Sequence, residues 1–199
     1  MANHRDAQVT VIMGRNGTGK STFLHNILKK IGGKTLVVTM AGLPKIWRQY
    51  EVIDPTNPEA WEWKKGIKQL HAAYYEEETF KYIFKYFRGG AIVFDDCKDY
   101  IPERVSQIPW LKRLLINYRH KEVDLYFVAH SPSDVPKQVW QYSYDTFVGA
   151  TSALFNKSQV PLGHADEIIK AQHAVNAEFR KRKAKNNASH YGLFVRVIP

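Results

Sequence analysis

The stretch that most constrains this chain lies near its start. Val9-Thr10-Val11-Ile12-Met13 runs directly into Gly14-Arg15-Asn16-Gly17-Thr18-Gly19-Lys20-Ser21-Thr22. An apolar, partly β-branched run thus ends in the pattern G-x-x-x-x-G-K-S. An amphipathic helix begins at once, with Phe23, Leu24, Ile27, Leu28 and Ile31 spaced to share one face. Strand, glycine-rich loop and helix in that order form the context in which such a loop cradles phosphate. Gly14, Gly17 and Gly19 let the backbone turn so tightly that its N–H groups converge on phosphate oxygens, and Asn16 and Thr18 belong to the same cradle. The helix N-terminus adds a favourable dipole. Lys20 brings a positive charge to the β- and γ-phosphates, the Ser21 hydroxyl can ligand Mg²⁺, and Thr22 can reach a neighbouring phosphate.

The rest of the chain supplies a scaffold for such a loop. Residues 34–39 follow a Gly32-Gly33 helix stop and read as a second buried strand. A proline-containing loop occupies 41–45, and Tyr50-Glu51-Val52-Ile53 reads as a short strand ended by Asp54-Pro55. Residues 56–74 take no clear assignment. Their Trp61, Trp63, Lys64, Lys65 and Lys68 form an aromatic and basic mixture that suits either packing under a loop or nucleic acid. A helix is expected over 76–88, with acids at its start, Phe80, Ile83, Phe84 and Phe87 on one face, and Gly89-Gly90 to stop it. Pro109 opens another, with Leu111, Leu114, Leu115 and Tyr118 inward. Strands are expected at 91–94, 123–129, 145–148 and 191–198, and a last helix at 166–183 with Ile168, Ala171, Val175 and Phe179 inward. Strands apolar on both faces that alternate with helices imply an α/β fold of three layers around a mainly parallel sheet. Ligands then sit at the carboxyl ends of the strands.

At 199 residues, one domain spanning 1–199 is the simplest organisation. No apolar run approaches the roughly 20 residues of a membrane span, and the first residues lack a signal-peptide pattern. The single cysteine, Cys97, permits no intrachain disulfide and fits a reducing compartment. The net charge of +10 favours a polyanionic partner, with solubility as the plainer explanation. The densest run, Arg180-Lys181-Arg182-Lys183 followed by Lys185, ends the last helix. Cations are favourable there through the helix dipole alone, and they also suit phosphate backbones.

Two further features complete a catalytic pattern. Ala91-Ile92-Val93-Phe94 ends in Asp95-Asp96, a Walker B arrangement. Asp95 is placed to hold the Mg²⁺ shell, and Asp96 to orient or deprotonate the attacking water. Asn117-Tyr118-Arg119-His120 then precedes Asp124-Leu125-Tyr126-Phe127-Val128-Ala129-His130-Ser131, a strand with a polar tip. Phosphate loop, Walker B and this strand together resemble the FtsK/HerA superfamily of P-loop ATPases that pump DNA. Within it, the resemblance is to viral genome-packaging ATPases and to zona-occludens-toxin-like phage morphogenesis proteins, over roughly residues 8–150.

The resemblance implies ATP and Mg²⁺ as cofactors and DNA as partner. It implies a homo-oligomeric ring when assembled, formed on DNA or at a capsid vertex or portal, with a monomer as the isolated form, and a place in the host cytoplasm or the virion. At the strand tip, His130 stands where the family usually has a γ-phosphate-sensing Gln, and Asp96 stands where it usually has Glu. Arg119 resembles the arginine that reaches a neighbouring subunit's nucleotide in ring-forming relatives, its alternative being a surface arginine at a helix end. The leading expectation is therefore an ATP-driven viral DNA-packaging translocase. The extrusion ATPases of the zona-occludens-toxin kind come next, although they usually carry a C-terminal membrane segment. A small-molecule P-loop kinase, with the C-terminal arginines as a lid, is the reading from another class. Gly14-Arg15-Asn16-Gly17 suggests an ABC-type ATPase, but the sequence lacks the Leu-Ser-Gly-Gly-Gln signature, and for a GTPase-like switch Asn156-Lys157-Ser158-Gln159 lacks the Asp of a guanine-reading motif.

Overall fold

The computed structural model describes residues 6–42, 45–73, 76–153, 164–185 and 191–198. Part of the 41–45 loop and all of the Asn156-Lys157-Ser158-Gln159 motif lie outside them. Seven strands, β1 (Val9–Met13), β2 (Lys34–Thr39), β3 (Gly66–His71), β4 (Gly90–Phe94), β5 (Val123–Ala129), β6 (Ser143–Gly149) and β7 (Phe194–Val197), form one sheet. Their order is β3-β2-β4-β5-β1-β6-β7, and only the edge pair β6–β7 is antiparallel. The α/β reading is borne out.

Alternation along each strand explains why the sheet is covered twice. Val9, Val11 and Met13 of β1 point to one side, together with Leu36, Val38, Ile92, Phe94, Leu125 and Phe127. Ile12, Val37, Val93, Tyr126 and Val128 point to the other. The first side is covered by α2 (Glu77–Tyr86), α3 (Pro109–Asn117), α4 (Lys137–Tyr142) and the start of α5 (Ala165–Ala184). On the second side, α1 (Lys20–Ile31) packs Leu24 and Leu28 beside Trp47. A period of two in the strands and a period near 3.6 in the helices thus produce three layers. The inward residues expected of α3 and α5 are all buried.

Beyond element ends, such as β7 forming only over Phe194–Val197 of the expected 191–198, the structure differs from the sequence expectations most clearly in four places. Tyr50–Ile53 is no strand; Val52 makes one isolated parallel bridge to Gln69. The unassigned 56–74 stretch contains a 3₁₀ turn (Pro58–Trp61) and β3. That strand has little signature of its own, since Ile67 and Leu70 are its only apolar residues, and it takes its extended form by pairing with β2. The short helix α4 was not expected at all. Ile31, assigned to the inward face of α1, is 56% exposed, because the helix ends there and the chain turns away at Gly32. Trp61 is buried and stacks on Tyr86, as packing under a loop requires, while half-buried Trp63 lies under the Lys34 and Lys68 ammonium groups.

Candidate active site

Strand order positions the site. β5 lies between β1 and β4, so the loops after these three strands meet at one end of the sheet. The loop after β1 is the phosphate loop, that after β5 carries His130, and that after β4 carries Asp95 and Asp96. The register fixes how close they come: Met13 pairs with Ala129, and the Gly14 amide donates to the Ala129 carbonyl at 3.2 Å.

The phosphate loop has the backbone its sequence demands. Gly17 and Gly19 adopt φ of 76° and 85°, in the left-handed region that L side chains rarely enter. Thr18 is buried and donates its hydroxyl to the Arg15 carbonyl at 2.8 Å, while Asn16 and Thr22 stay exposed. No side chain caps α1, whose N-cap is Gly19, so its first amides are open to an anion. The C-terminal segment closes over the loop from outside. The Gly192 amide donates to the Thr18 carbonyl at 2.8 Å, and Phe194 stacks on Phe23 with ring centroids 4.5 Å apart.

Lys20 is almost fully buried. Its ammonium donates to the Gly14 carbonyl at 2.8 Å and to His130 Nδ1 at 2.9 Å. An ammonium has only donors, so Nδ1 accepts and the imidazole proton sits on Nε2. From there it faces Asp96 Oδ1 at 3.2 Å. Lys20, His130 and Asp96 therefore form a single chain of polar contacts. Burial lowers the affinity of Lys20 for its proton, and Asp96, Asp95 and Asp134 oppose that effect.

Asp95 sits below this chain with no exposure. It accepts from the Ser21 hydroxyl at 3.0 Å and from the Trp47 indole N–H. Burial pushes its carboxyl up to about 6. The Trp47 and Ser21 bonds and the charge of Lys20 restrain the shift, and Asp96 adds to it. Asp96 adopts φ of 49° where β4 breaks into a 3₁₀ turn (Cys97–Asp99). Asp tolerates this left-handed backbone better than most residues. Among the described residues no group of three or more His, Cys, Asp or Glu could hold a metal. One carboxylate beside one hydroxyl, as in Asp95 and Ser21, instead suits Mg²⁺, whose remaining ligands are usually water and phosphate.

Gly14, Asn16, Gly17, Thr18, Gly19, Lys20, Ser21, Thr22, Asp95, Asp96 and His130 thus come together. Arg119 does not. It precedes β5, at the opposite end of the sheet from the phosphate loop, and its Nε donates to the Tyr118 hydroxyl at 3.0 Å. There it borders a cavity of about 590 Å³ with Asp6, Gly32, Gly89, Gly90 and Asp124. Sequence reasoning missed two participants. Trp47 came from a loop with no motif to mark it. Thr151 donates its hydroxyl to the His130 carbonyl at 3.2 Å, and its amide and carbonyl are held by Asn176 on α5. Only its place just beyond a strand end hinted at a role.

No family model matches the sequence, and no curated protein matches it. Solved structures do resemble the fold. The genome packaging NTPase of Sulfolobus turreted icosahedral virus 2, in complex with AMPPCP, superposes with a TM-score of 0.64 at 14% identity, covering 98% of this chain and 93% of that one. The N-terminal domain of zonular occludens toxin from Neisseria meningitidis gives 0.51 at 18% identity, over 74% and 79%. The pCW3 conjugation coupling protein TcpA, with ATPγS, gives 0.51 at 14%, over 97% of this chain and 58% of that one. The fold is that of the P-loop NTPases. No helix among the described residues is long and apolar enough to cross a membrane.

Proposed function

We propose that this chain is an ATP-driven DNA translocase of the FtsK/HerA kind, acting as a viral genome-packaging ATPase. The observation that carries the reading is the Lys20–His130–Asp96 chain beside the Ser21–Asp95 pair, all at one end of the sheet. These groups match the separate needs of phosphoryl transfer to water. The loop amides and Lys20 bind the β- and γ-phosphates. Ser21 and Asp95 would hold Mg²⁺, which would neutralise phosphate charge. Asp96 orients the attacking water and takes its proton.

His130 reports the occupancy of the γ-phosphate position. A γ-phosphate competes for Lys20 and draws its ammonium from Nδ1, which leaves the imidazole held by Asp96 alone. The likeness to a genome packaging NTPase supports the packaging reading over a small-molecule kinase, as does an acid already engaged by the sensor. The net charge of +10 and the exposed cations Arg180, Lys181, Lys183 and Lys185 at the end of α5 support a phosphate-backbone partner. Arg119 lies at the opposite end of the sheet from its own chain's phosphate loop, so in this reading it would serve a nucleotide only from a neighbouring copy in a head-to-tail ring.

ATP hydrolysis measured with and without DNA tests the proposal. DNA should raise a Mg²⁺-dependent rate, and DNA affinity should fall steeply with salt and vary little with sequence. Absence of DNA binding at low salt, or phosphate transfer to a small acceptor, would favour the kinase.

A further inference from the structure

Trp47 differs from the other tryptophans whose indole N–H is bonded. Trp61, Trp63 and Trp140 donate to the backbone carbonyls of Pro55, Gly66 and Pro132. Trp47, completely buried, donates to the Asp95 carboxylate. A buried indole needs one acceptor, and any carbonyl suffices. A bond to a charge-bearing carboxylate is stronger and fixes a direction.

The surroundings hold the ring in place. His25 lies one helical turn beyond Ser21 on α1, so both face the same side. Ser21 meets Asp95, and His25 meets the Trp47 ring edge-on, with centroids 5.6 Å apart. His25 Nε2 and the Tyr50 hydroxyl are 2.5 Å apart, and the Tyr50 amide closes the turn onto the Trp47 carbonyl at 2.9 Å. Ser21, Asp95, Trp47 and His25 thus make a closed ring of contacts that begins and ends on α1. Within it, Oδ2 of Asp95 takes both the indole and the shorter contact from Ser21, while Oδ1 stands 3.4 Å from that hydroxyl. Two donors on one oxygen set the rotation of the carboxylate.

We infer that Trp47 is a positioning residue for the metal site: its indole N–H locks the orientation of the Asp95 carboxylate and so strengthens the hold of Ser21 and Asp95 on Mg²⁺. The inference rests on the reading of Asp95 as the Mg²⁺ carboxylate.

The test is the gain in affinity for AMPPCP on adding Mg²⁺, measured by calorimetry with Mg²⁺ and with EDTA. Trp47→Phe keeps an aromatic ring but removes the N–H and some volume. Benzothienylalanine at position 47 keeps the shape of the ring system and removes only the N–H. It therefore decides the matter if Trp47→Phe folds poorly. Both should leave affinity in EDTA unchanged and cut the Mg²⁺-dependent gain about tenfold, as loss of a group that orients a metal ligand does. An undiminished gain with benzothienylalanine overturns the inference, as does an equal loss with and without Mg²⁺, which would mark Trp47 as packing. Wild-type protein that gains nothing from Mg²⁺ would instead remove the metal reading of Asp95, and the inference with it.

Discussion

The two ends of the sheet are built from the same strands and use polar residues in opposite ways. At the amino end, Asp124 and Lys121 are tied to backbone, and Arg119 to the single hydroxyl of Tyr118. Asp124 accepts from the Gln8 amide at 2.8 Å, and the Lys121 ammonium donates to the Phe84 carbonyl at 2.5 Å. At the carboxyl end some backbone ties remain, as from Lys20 to the Gly14 carbonyl, but a connected set of side chains is added: Lys20 to His130, His130 to Asp96, Ser21 and Trp47 to Asp95. A backbone carbonyl cannot leave its partner without disturbing the fold. A side chain can exchange one partner for a ligand. The first end is therefore suited to holding the sheet together and the second to chemistry. The contrast follows from parallel strands, whose carboxyl ends all open into loops on one side.

Substitution should separate the two ends. The largest effect is expected for Lys20→Ala, which should reduce ATP hydrolysis by at least about 10³-fold by removing the positive charge that stabilises the transferred phosphoryl group. The melting temperature should change little, because the desolvation cost of a buried ammonium disappears together with its contacts to Gly14, His130 and the nearby carboxylates. Loss of folding instead would make Lys20 a structural residue.

Arg119 tests whether the two ends meet between copies. Mixing Lys20→Ala with Arg119→Ala protein in the presence of DNA should restore activity that neither has alone, since each supplies what the other lacks. Wild-type hydrolysis by Arg119→Ala under those conditions would leave the amino end without a catalytic part.

A smaller effect concerns pH. Asp95 holds its proton to about 6 in the fold against 3.8 as the ordinary value. Raised in this direction, it contributes stability below pH 3.8 that is lost as pH rises through about 6. The stability of wild type relative to Asp95→Asn should therefore fall by about 1–3 kcal/mol between pH 4 and pH 7. A flat difference would mean that Asp95 is ionised throughout.

The smallest effect belongs to the amino end. Asp124→Ala should cost about 1–2 kcal/mol by leaving the Gln8 amide without its acceptor. Hydrolysis per folded molecule should not change. A change in turnover would blur the division between the ends.

Much of this was legible in the sequence because it depends on local pattern. Val9–Met13 and Val123–Ala129 are apolar on both faces, and α5 carries Ile168, Ala171, Val175 and Phe179 at helical spacing. The phosphate loop needs glycines at fixed offsets, so its spacing alone exposes it. What stayed hidden depends on tertiary contact. Nothing near Trp47 says that its indole will meet a carboxylate 48 positions away. Likewise β3 gains its strand state by pairing with β2 rather than from its own residues. The contacts between Lys20, His130 and Asp96 needed the strand order, which places β5 between β1 and β4.

The most direct test is the split between binding and turnover in Asp96→Asn. Equilibrium binding of ATP and single-turnover hydrolysis are measured on the same preparation, with Mg²⁺ and DNA present. An acid that orients water and takes its proton contributes typically about 10²–10⁴-fold. Hydrolysis should fall by that order while ATP affinity stays within about threefold of wild type, a change worth less than 1 kcal/mol. Weakened ATP binding with hydrolysis retained would contradict the account and make Asp96 a structural or metal-holding residue.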